Sequence, residues 1–390
     1  MIKLASLLMF LQPAAGELQF VVGLMYAGDI PPIRLPYPND LNELELDIYP
    51  RGIGRLTEVG VKRVYELGRW LRRRYVTDHQ LIPPNYSMPE VSVESSSFIP
   101  AIESAECLMA GLFPDGANSN WLNDSLRSSR PIPVMHSTGG ERDVRLRPLT
   151  DTCDRFERET RFEEEEFREQ FDAENVEWYE RLEEDTGFSR FNSKNVETLF
   201  DVEKEIAQGL PQPAWLNQSH NGVTVLDWIR ESFRKLAVFK VASEKRARFA
   251  AGVLLNEWLD LLVHKASRTA ERMKAKFSIT RFTPQIAMRS AMRIDIDELP
   301  MPGSIFLVEL HKTLKGTHTV QIFSRSATGQ VRLHKLPTCG QVCPLDDFLR
   351  ILEPMRLTYQ EREELCTSSA AAMLGTIVLF LVTFLFHMNE

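Results

Sequence analysis

The chain has 390 residues, of which 43% are hydrophobic and 26% are charged, and its formal net charge is -8 at pH 7. These values are typical of a globular protein that buries a large core, and they exclude a disordered chain. The acidic balance argues against a nucleic-acid partner, because phosphate neutralisation needs clustered Lys and Arg. We also expect no cofactor and no metal.

Residues 1–16 predict a secretory signal peptide. Lys3 precedes an apolar stretch at 4–11, and small residues at 14–16 suit cleavage by signal peptidase. A short buried helix is the alternative, but Pro13 would interrupt it. We therefore expect the chain to enter the secretory route.

The next segment alternates strand and helix. Strands are predicted at 20–24 and 91–93, and helices are predicted after the N-cap residue Thr57 and up to Leu112. Such alternation indicates an α/β sheet flanked by helices. We assign residues 17–152 to the first part of this domain.

A different pattern begins at residue 153 and continues to 261, where long polar helices predict an inserted α-helical cap domain. Its acidic run at 162–167 is interpreted as a solvated helix face. Strands return at 304–310 and 319–323. Residues 262–366 therefore form the closing part of the α/β domain.

The C-terminal segment 367–387 predicts a transmembrane anchor, followed by a short tail at 388–390. Residues 370–386 are apolar apart from two threonines, close to the lower limit of ~17–25 residues for crossing a bilayer. The tail lacks the Lys or Arg that usually marks a cytoplasmic end. A removable signal for a lipid anchor therefore stays open, although its polar spacer is missing. We favour a single-pass type I membrane protein with its ectodomain in the lumen or outside the cell.

The predicted signal peptide and membrane anchor place the residues between them in an oxidising compartment. In such a compartment cysteines pair and sequons are glycosylated. Three triplets fit the acceptor pattern, beginning at Asn85, Asn123 and Asn217. Five cysteines leave at least one unpaired. Cys107 lies in an apolar predicted helix and is interpreted as a small buried residue.

The segment Met-Tyr-Ala-Gly-Asp-Ile-Pro-Pro at 25–32 follows the first strand and resembles the Arg-His-Gly-Asp-Arg-x-Pro signature of the histidine acid phosphatase family. Other strings follow in the order found in lysosomal and prostatic-type members, and they occupy residues 37–40, 52–57, 65–71, 110–114, 130–134, 252–256 and 339–345. The resemblance covers the chain from about Leu18 to Cys366. It implies a histidine-phosphatase-type sheet domain with a smaller helical cap.

The resemblance also implies two disulfides, Cys153–Cys366 and Cys339–Cys343. A third bridge of the family is missing at both ends, where its positions fall near Val202 and at Ile305.

The family hydrolyses phosphate monoesters through a phosphohistidine, which requires a histidine nucleophile, cations for the phosphoryl oxygens and an acid for the leaving oxygen. The six positions that carry these roles in the family hold other residue types here: Tyr26, Ala27, Ile30, Glu94, Arg281 and Phe282. Ala27 stands for the nucleophile and Phe282 for the proton donor, and neither side chain can perform that step. Tyr26, Ile30 and Glu94 replace arginines, and none of them offers a guanidinium.

We therefore predict a membrane-anchored histidine acid phosphatase-like protein without catalytic activity, with a binding or scaffolding role. The alternative is an acid phosphatase of low or unconventional activity, using Asp29, Glu94, the serines at 95–97, Arg281 and a displaced histidine. A further hypothesis pairs Glu94 with Arg281 as ions in the vestigial pocket. Dimerisation in the family implies a homodimer or a dimer with an active paralogue.

Overall fold

A computed structural model describes residues 16–42, 45–114, 132–136, 143–148, 153–267 and 272–366. The predicted signal peptide except Gly16, the sequon at Asn123 and the C-terminal anchor segment lie outside these ranges. Within them, no helix combines the length and the apolar character needed to cross a membrane.

A mixed eight-stranded sheet forms the centre of the described structure. Its strands are β1 (Glu17–Tyr26), β2 (Val91–Ser95), β3 (Met135–His136), β6 (Ala275–Thr280), β7 (Ile305–Lys312), β8 (His318–Arg325), β9 (Val331–His334) and β10 (Cys343–Pro344). The order across the sheet is β10-β8-β7-β1-β6-β2-β3, with β9 beside β8. Strands β1, β6, β2 and β3 are parallel, and β7 and β8 run antiparallel to their neighbours. The short strands β4 (Ser219–His220) and β5 (Val223–Thr224) form a separate hairpin.

Helices cover both faces of the sheet and build the cap. They are α1 (Glu58–Leu71), α2 (Ile99–Leu112), α3 (Asp154–Glu174), α4 (Val176–Thr186), α5 (Ser193–Leu199), α6 (Val202–Gln208), α7 (Val225–Phe239), α8 (Glu244–Ser267), α9 (Phe282–Ala291), α10 (Leu345–Leu352) and α11 (Tyr359–Cys366). Helix α1 continues into a π-helical segment, Arg72–Asp78. The α/β architecture predicted from the sequence is confirmed.

Strand β1 lies at the centre of the fold because both of its faces are buried. Val21 and Met25 pack in the core between the sheet and helices α1 and α2. Val22 and Leu24 pack in the larger core that contains α8 and α9. The continuous apolar run of this strand matches its position between parallel β6 and antiparallel β7.

Helix α1 begins where the sequence predicts, with the Thr57 hydroxyl accepting a hydrogen bond from the N–H of Gly60 at 3.1 Å. Its contact with α2 brings backbone against backbone at Gly68 and Gly111, where an added Cβ would collide with the other helix. Tyr65, which the helical periodicity predicts on the core face, is 37% exposed. The close helix approach leaves no room for its ring between α1 and α2.

The cap has its own apolar core, formed by helices α3 to α7 with Tyr37 from the loop after β1. Helix α8 packs with the sheet instead, and the Trp258 ring stacks on Phe306 of β7 with 6.5 Å between the ring centroids. The sequence places residues up to 261 in the cap, because α8 follows the polar cap helices with no sequence signal that separates it from them. The predicted domain boundaries stay predictions.

Both predicted disulfides are present. Cys153–Cys366 joins the start of α3 to the end of α11 with 4.8 Å between the Cα atoms, and Cys339–Cys343 closes a short loop with 5.3 Å between them. Cys107 is half-buried and unpaired, and burial raises the pKa of its thiol to about 11. Cys107 is therefore a neutral thiol at neutral pH, and not an activated nucleophile.

A buried charge network ties the π-helical segment to the sheet. The carboxylate of Glu309, on β7, is fully buried and accepts two hydrogen bonds from Arg74, at 2.7 and 2.9 Å. The Tyr75 hydroxyl donates a third at 2.7 Å, and His311 Nε2 lies 3.2 Å away. Burial raises the pKa of Glu309, but hydrogen bonds from His311, Arg74 and Tyr75 outweigh it and lower this pKa to about 2.

We predict that Glu309→Gln lowers the free energy of unfolding at neutral pH by about 3 kcal/mol, because breaking a buried ion pair leaves the remaining charge uncompensated. The pKa of Glu309 is lower in the folded chain than the ordinary value of 4.5. Its contribution is therefore complete above about pH 4.5 and disappears as the pH falls towards 2. Denaturant unfolding at several pH values should show the curves of the wild type and of the Glu309→Gln variant converging in that window.

The matched control is Glu353→Gln, since the side chain of Glu353 is 65% exposed. This control should track the wild type at every pH. A constant difference between the Glu309→Gln variant and the wild type from neutral to acid pH would contradict the assignment.

Candidate functional site

A cavity lies beyond the carboxyl ends of the two adjacent parallel strands β1 and β6. Tyr26 ends β1, and Arg281 and Phe282 follow β6 directly and begin α9. The N–H of Ala27 donates to the carbonyl of Thr280 at 2.8 Å, which fixes the two chain segments side by side. Ligands of α/β proteins bind in this kind of crevice outside the strand ends.

Several segments that are distant in the sequence line the cavity, whose volume is about 200 Å³. The floor comes from the turn after β1 and the start of α9. One wall comes from the cap, and the other from the loop 299–302. The cap wall consists of Phe200 and Asp201 between α5 and α6, Glu203 and Lys204 on α6, and Phe233 on α7. The site is therefore shared between the sheet and the cap.

Most of the lining is apolar: Tyr26, Ala27, Ile30, Ile33, Phe98, Phe200, Phe233, Phe282, Leu299, Pro300, Met301 and Pro302. Phe282 connects the floor to the cap, with ring centroids 5.9 Å from Tyr26 and 6.0 Å from Phe233. Phe233 in turn stacks on Phe200 at 3.9 Å. Burial raises the pKa of Tyr26 well above its usual range, so its hydroxyl is neutral.

The structure brings together at this cavity five of the six residues predicted to stand at the degenerate catalytic positions. They are Tyr26, Ala27, Ile30, Arg281 and Phe282. No histidine is found among the described residues that line it. The sixth position, Glu94, is not part of the lining.

Glu94 faces the opposite side of β2, where it forms ion pairs with Arg145 at 3.2 Å and Lys276 at 3.5 Å. The Ser278 hydroxyl donates to it at 2.7 Å. The hypothesis of a Glu94–Arg281 ion pair is wrong. Side chains alternate along a strand, and because Val93 packs on the α1 and α2 side, Glu94 must face the other way.

The same network includes a second carboxylate, Glu257 of α8. Arg145 Nη1 lies 2.7 Å from Glu257, and Lys276 contacts Glu257 as well. Burial raises the pKa of Glu257, but the two cations outweigh it and hold this pKa below its usual range. Two carboxylates and two cations therefore compensate each other, so this cluster offers no free cation to a phosphate.

Asp29 forms an ion pair with Arg63 and is therefore not available as a catalytic group. The Arg63 Nη1 atom donates to both Asp29 oxygens, at 2.6 and 2.7 Å, and Asp29 is 3% exposed. Burial raises the pKa of Asp29, and the charge of Arg63 opposes that rise. The pair fixes the turn to helix α1, and its carboxylate oxygens are engaged within the protein.

Two of the three serine candidates are out of reach of a substrate at this cavity, and the half-buried Ser97 is not part of its lining. Ser95 and Ser96 are fully buried, and neither lines it. Within the described part of the chain their hydroxyls have no hydrogen-bond partner and no activating histidine. This geometry does not support a serine nucleophile.

Arg281 differs from the other charged groups at the cavity. Its Cζ lies 4.3 Å from the centroid of the Phe98 ring, and no ion pair or hydrogen bond involves its side chain within the described residues. Although part of the side chain reaches solvent, desolvation and then repulsion from Arg147 lower the pKa of Arg281. Sequence reasoning found Arg281 but missed the cap and loop walls, which have no local signal that relates them to this site.

Two of the three predicted glycosylation sites fall on described residues. Asn85 and Asn217 are both exposed, as glycan attachment requires. The sequons stay predictions. No group of three or more His, Cys, Asp and Glu suited to a metal occurs within the described ranges.

Comparison with known proteins places this fold and site in a family. Residues 31–293 match the model of the histidine phosphatase superfamily (branch 2). The chain belongs to this family. The match begins directly after the turn in which the signature letters differ.

Relatives cover nearly the whole chain. Lysosomal acid phosphatase of Bos taurus is 31% identical over 358 residues, which are 90% of this chain and 81% of the relative. Testicular acid phosphatase of Homo sapiens is 30% identical over 379 residues, 90% of this chain and 84% of the relative. The apo phytase of Hafnia alvei is similar in fold, with a TM-score of 0.69 and 16% identity over 92% of this chain and 100% of the phytase.

We predict that Asp29→Asn lowers the free energy of unfolding by about 3 kcal/mol, because it leaves Arg63 unpaired against a buried turn. The matched control is Asp201→Asn at the cap wall of the same cavity. Asp201 and Lys204 pair at 2.9 Å with side chains 22% and 23% exposed, so we expect a loss below about 1 kcal/mol. Denaturant unfolding measures both, and equal losses would contradict a structural role specific to Asp29.

Proposed function

We propose that this chain is a catalytically inactive member of its family, a pseudophosphatase with a binding or scaffolding role. The observation that carries the proposal is the composition of the cavity at the ends of β1 and β6. Where the family resemblance expects a nucleophile, cations and an acid, the lining supplies Ala27, Tyr26, Ile30 and Phe282.

Physical chemistry supports this proposal at each step of the reaction. Ala27 has no lone pair to attack phosphorus, and Phe282 has no proton to give to a leaving oxygen. A phosphate dianion would have to leave water for walls that are mainly aromatic and aliphatic, which costs several kcal/mol without compensating hydrogen bonds. Arg281 alone cannot surround three phosphoryl oxygens.

The competing function is an acid phosphatase with low or unconventional activity, as the names of the relatives suggest. It would need a displaced nucleophile. Asp29 is engaged by Arg63, and Ser95 and Ser96 are buried away from the cavity. These contacts favour an inactive protein.

A lumenal location and a membrane anchor are part of the proposal. Relatives named lysosomal acid phosphatase support a lumenal ectodomain. The disulfides fit an oxidising compartment. The anchor itself rests on the apolar run at 370–386, outside the described residues. A homodimer or a dimer with an active paralogue also stays a prediction.

We predict that the full chain expressed in animal cells stays with the membrane fraction after alkaline carbonate washing, whereas a chain ending after Cys366 is secreted. Loss of residues 370–386 removes the apolar stretch that holds the chain in the bilayer. Release of the full chain by phosphatidylinositol-specific phospholipase C would identify a lipid anchor instead. Secretion of the full chain would contradict both forms of anchoring.

We predict no hydrolysis of an aryl phosphate by the purified full chain from about pH 4 to 8, the range in which acid–base groups of a phosphatase titrate. The matched control is Arg281→Glu, which reverses the charge that has no ion-pair partner among the described residues of the cavity lining. Wild type and this control should give the same background rate. The double variant Tyr26→Arg/Ala27→His should also stay inactive, because it still lacks a proton donor and a second arginine.

Turnover by the wild type above the Arg281→Glu control would contradict the proposal, since it would show hydrolysis that depends on this cavity. Equal turnover by both proteins would indicate a contaminating phosphatase. The same purification from cells without the gene would then give the same turnover, which identifies the contaminant.

A further inference from the structure

The charged residues of the cavity lining differ in whether they have a partner of opposite charge. Each acidic side chain of the lining is paired within the protein: Asp29 with Arg63, Asp201 with Lys204, and Glu203 with Arg230 at 2.7 Å. Lys204 is paired through the same contact. Arg281 is the exception among the described charged residues of the lining, so the cavity carries one uncompensated positive charge.

The position of Arg281 leaves its hydrogen-bonding edge available. The guanidinium lies over the Phe98 ring with 4.3 Å between Cζ and the ring centroid. Among the described residues, no hydrogen bond or ion pair occupies its N–H groups, so these donors are open to a ligand. A planar fork of N–H donors matches a carboxylate, to which it can donate two parallel hydrogen bonds.

The rest of the cavity suits an apolar body. Phe200, Phe233 and Phe282 form a continuous aromatic wall through their mutual contacts. The volume of about 200 Å³ is larger than the apolar cavity of about 150 Å³ that holds benzene in another protein. One aromatic ring with a short side chain therefore fits. A polyanion does not, because its further charges would meet apolar walls and the paired acids Asp201 and Glu203.

We propose that this cavity binds a small apolar monocarboxylic acid, of the arylalkanoic class, with the carboxylate on Arg281 and the ring against the aromatic wall of Phe200, Phe233 and Phe282. The inference rests on the proposed function, because the substitutions that remove phosphatase chemistry make the floor of the cavity apolar. It extends that function from an unspecified binding role to one ligand class.

The test measures binding of 3-phenylpropionate to the full chain by calorimetry in detergent. Wild type should bind, and Arg281→Gln should bind about tenfold more weakly, because a charge-assisted hydrogen bond is lost. The matched control Arg350→Gln removes the same charge from an exposed site on α10 and should bind as the wild type does. Since Arg281 has no described polar partner, its substitution should leave the unfolding midpoint unchanged.

Binding tests with analogues of 3-phenylpropionate distinguish the contribution of the carboxylate from that of the ring. The neutral 3-phenylpropanol should bind about tenfold more weakly than the acid to the wild type, and equally to wild type and Arg281→Gln. The cation 3-phenylpropylamine should prefer Arg281→Glu over the wild type. Inorganic phosphate, which has no apolar body, should not compete.

Equal affinity of the acid for the wild type and Arg281→Gln would overturn the inference, as would tighter binding of the alcohol than of the acid. No binding of 3-phenylpropionate at millimolar concentration would also overturn it. Such a result leaves the proposed function intact if the aryl phosphate assay shows no turnover. Turnover that depends on Arg281 would instead overturn the proposed function, so the two failures are distinguishable.

Discussion

The site depends on a backbone contact between the turn after β1 and the first turn of α1. A Cβ on Gly60 would lie 2.5 Å from the Asp29 carbonyl oxygen, and one on Gly28 would lie 2.8 Å from Val64 Cγ2. The N–H of Thr57 donates to the same Asp29 carbonyl at 2.9 Å. The turn is therefore positioned by small residues and main-chain hydrogen bonds. The side chains at 26, 27 and 30 take no part in this contact.

This separation explains how a phosphatase-like framework persists with a different cavity. Ala27 is held through its N–H, so a change of its side chain leaves the turn in place. Tyr26 and Phe282 contact each other, and Phe282 reaches the cap through Phe233. The apolar replacements support one another, since each fills space beside the next. Clustered arginines in the same walls would have to be compensated by a bound anion.

Much of the fold follows from local sequence patterns, because strand β1 and the Thr57 cap depend on nearby residues, whereas the two disulfides were predicted from the family resemblance. The site follows less completely. Strand alternation sets the side on which Glu94 lies, but its partners Arg145 and Glu257 are distant in sequence, so the network could not be predicted. The cap wall was missed for the same reason. The helical spacing of Phe233 indicates burial, but it cannot say against which surface.

The electrostatic potential in the cavity depends on whether the carboxylates near it are paired with cations. Glu94 lies where the family resemblance predicts a cation, yet Arg145 and Lys276 compensate it on the far side of β2, so it does not oppose an anion at the cavity. Asp29 is likewise neutralised by Arg63. Within the described lining, Arg281 is therefore the cation without an acidic partner, and Arg147 is close enough to repel it. Because the other charged groups of the described lining are already paired, this arrangement itself favours one negative charge over several.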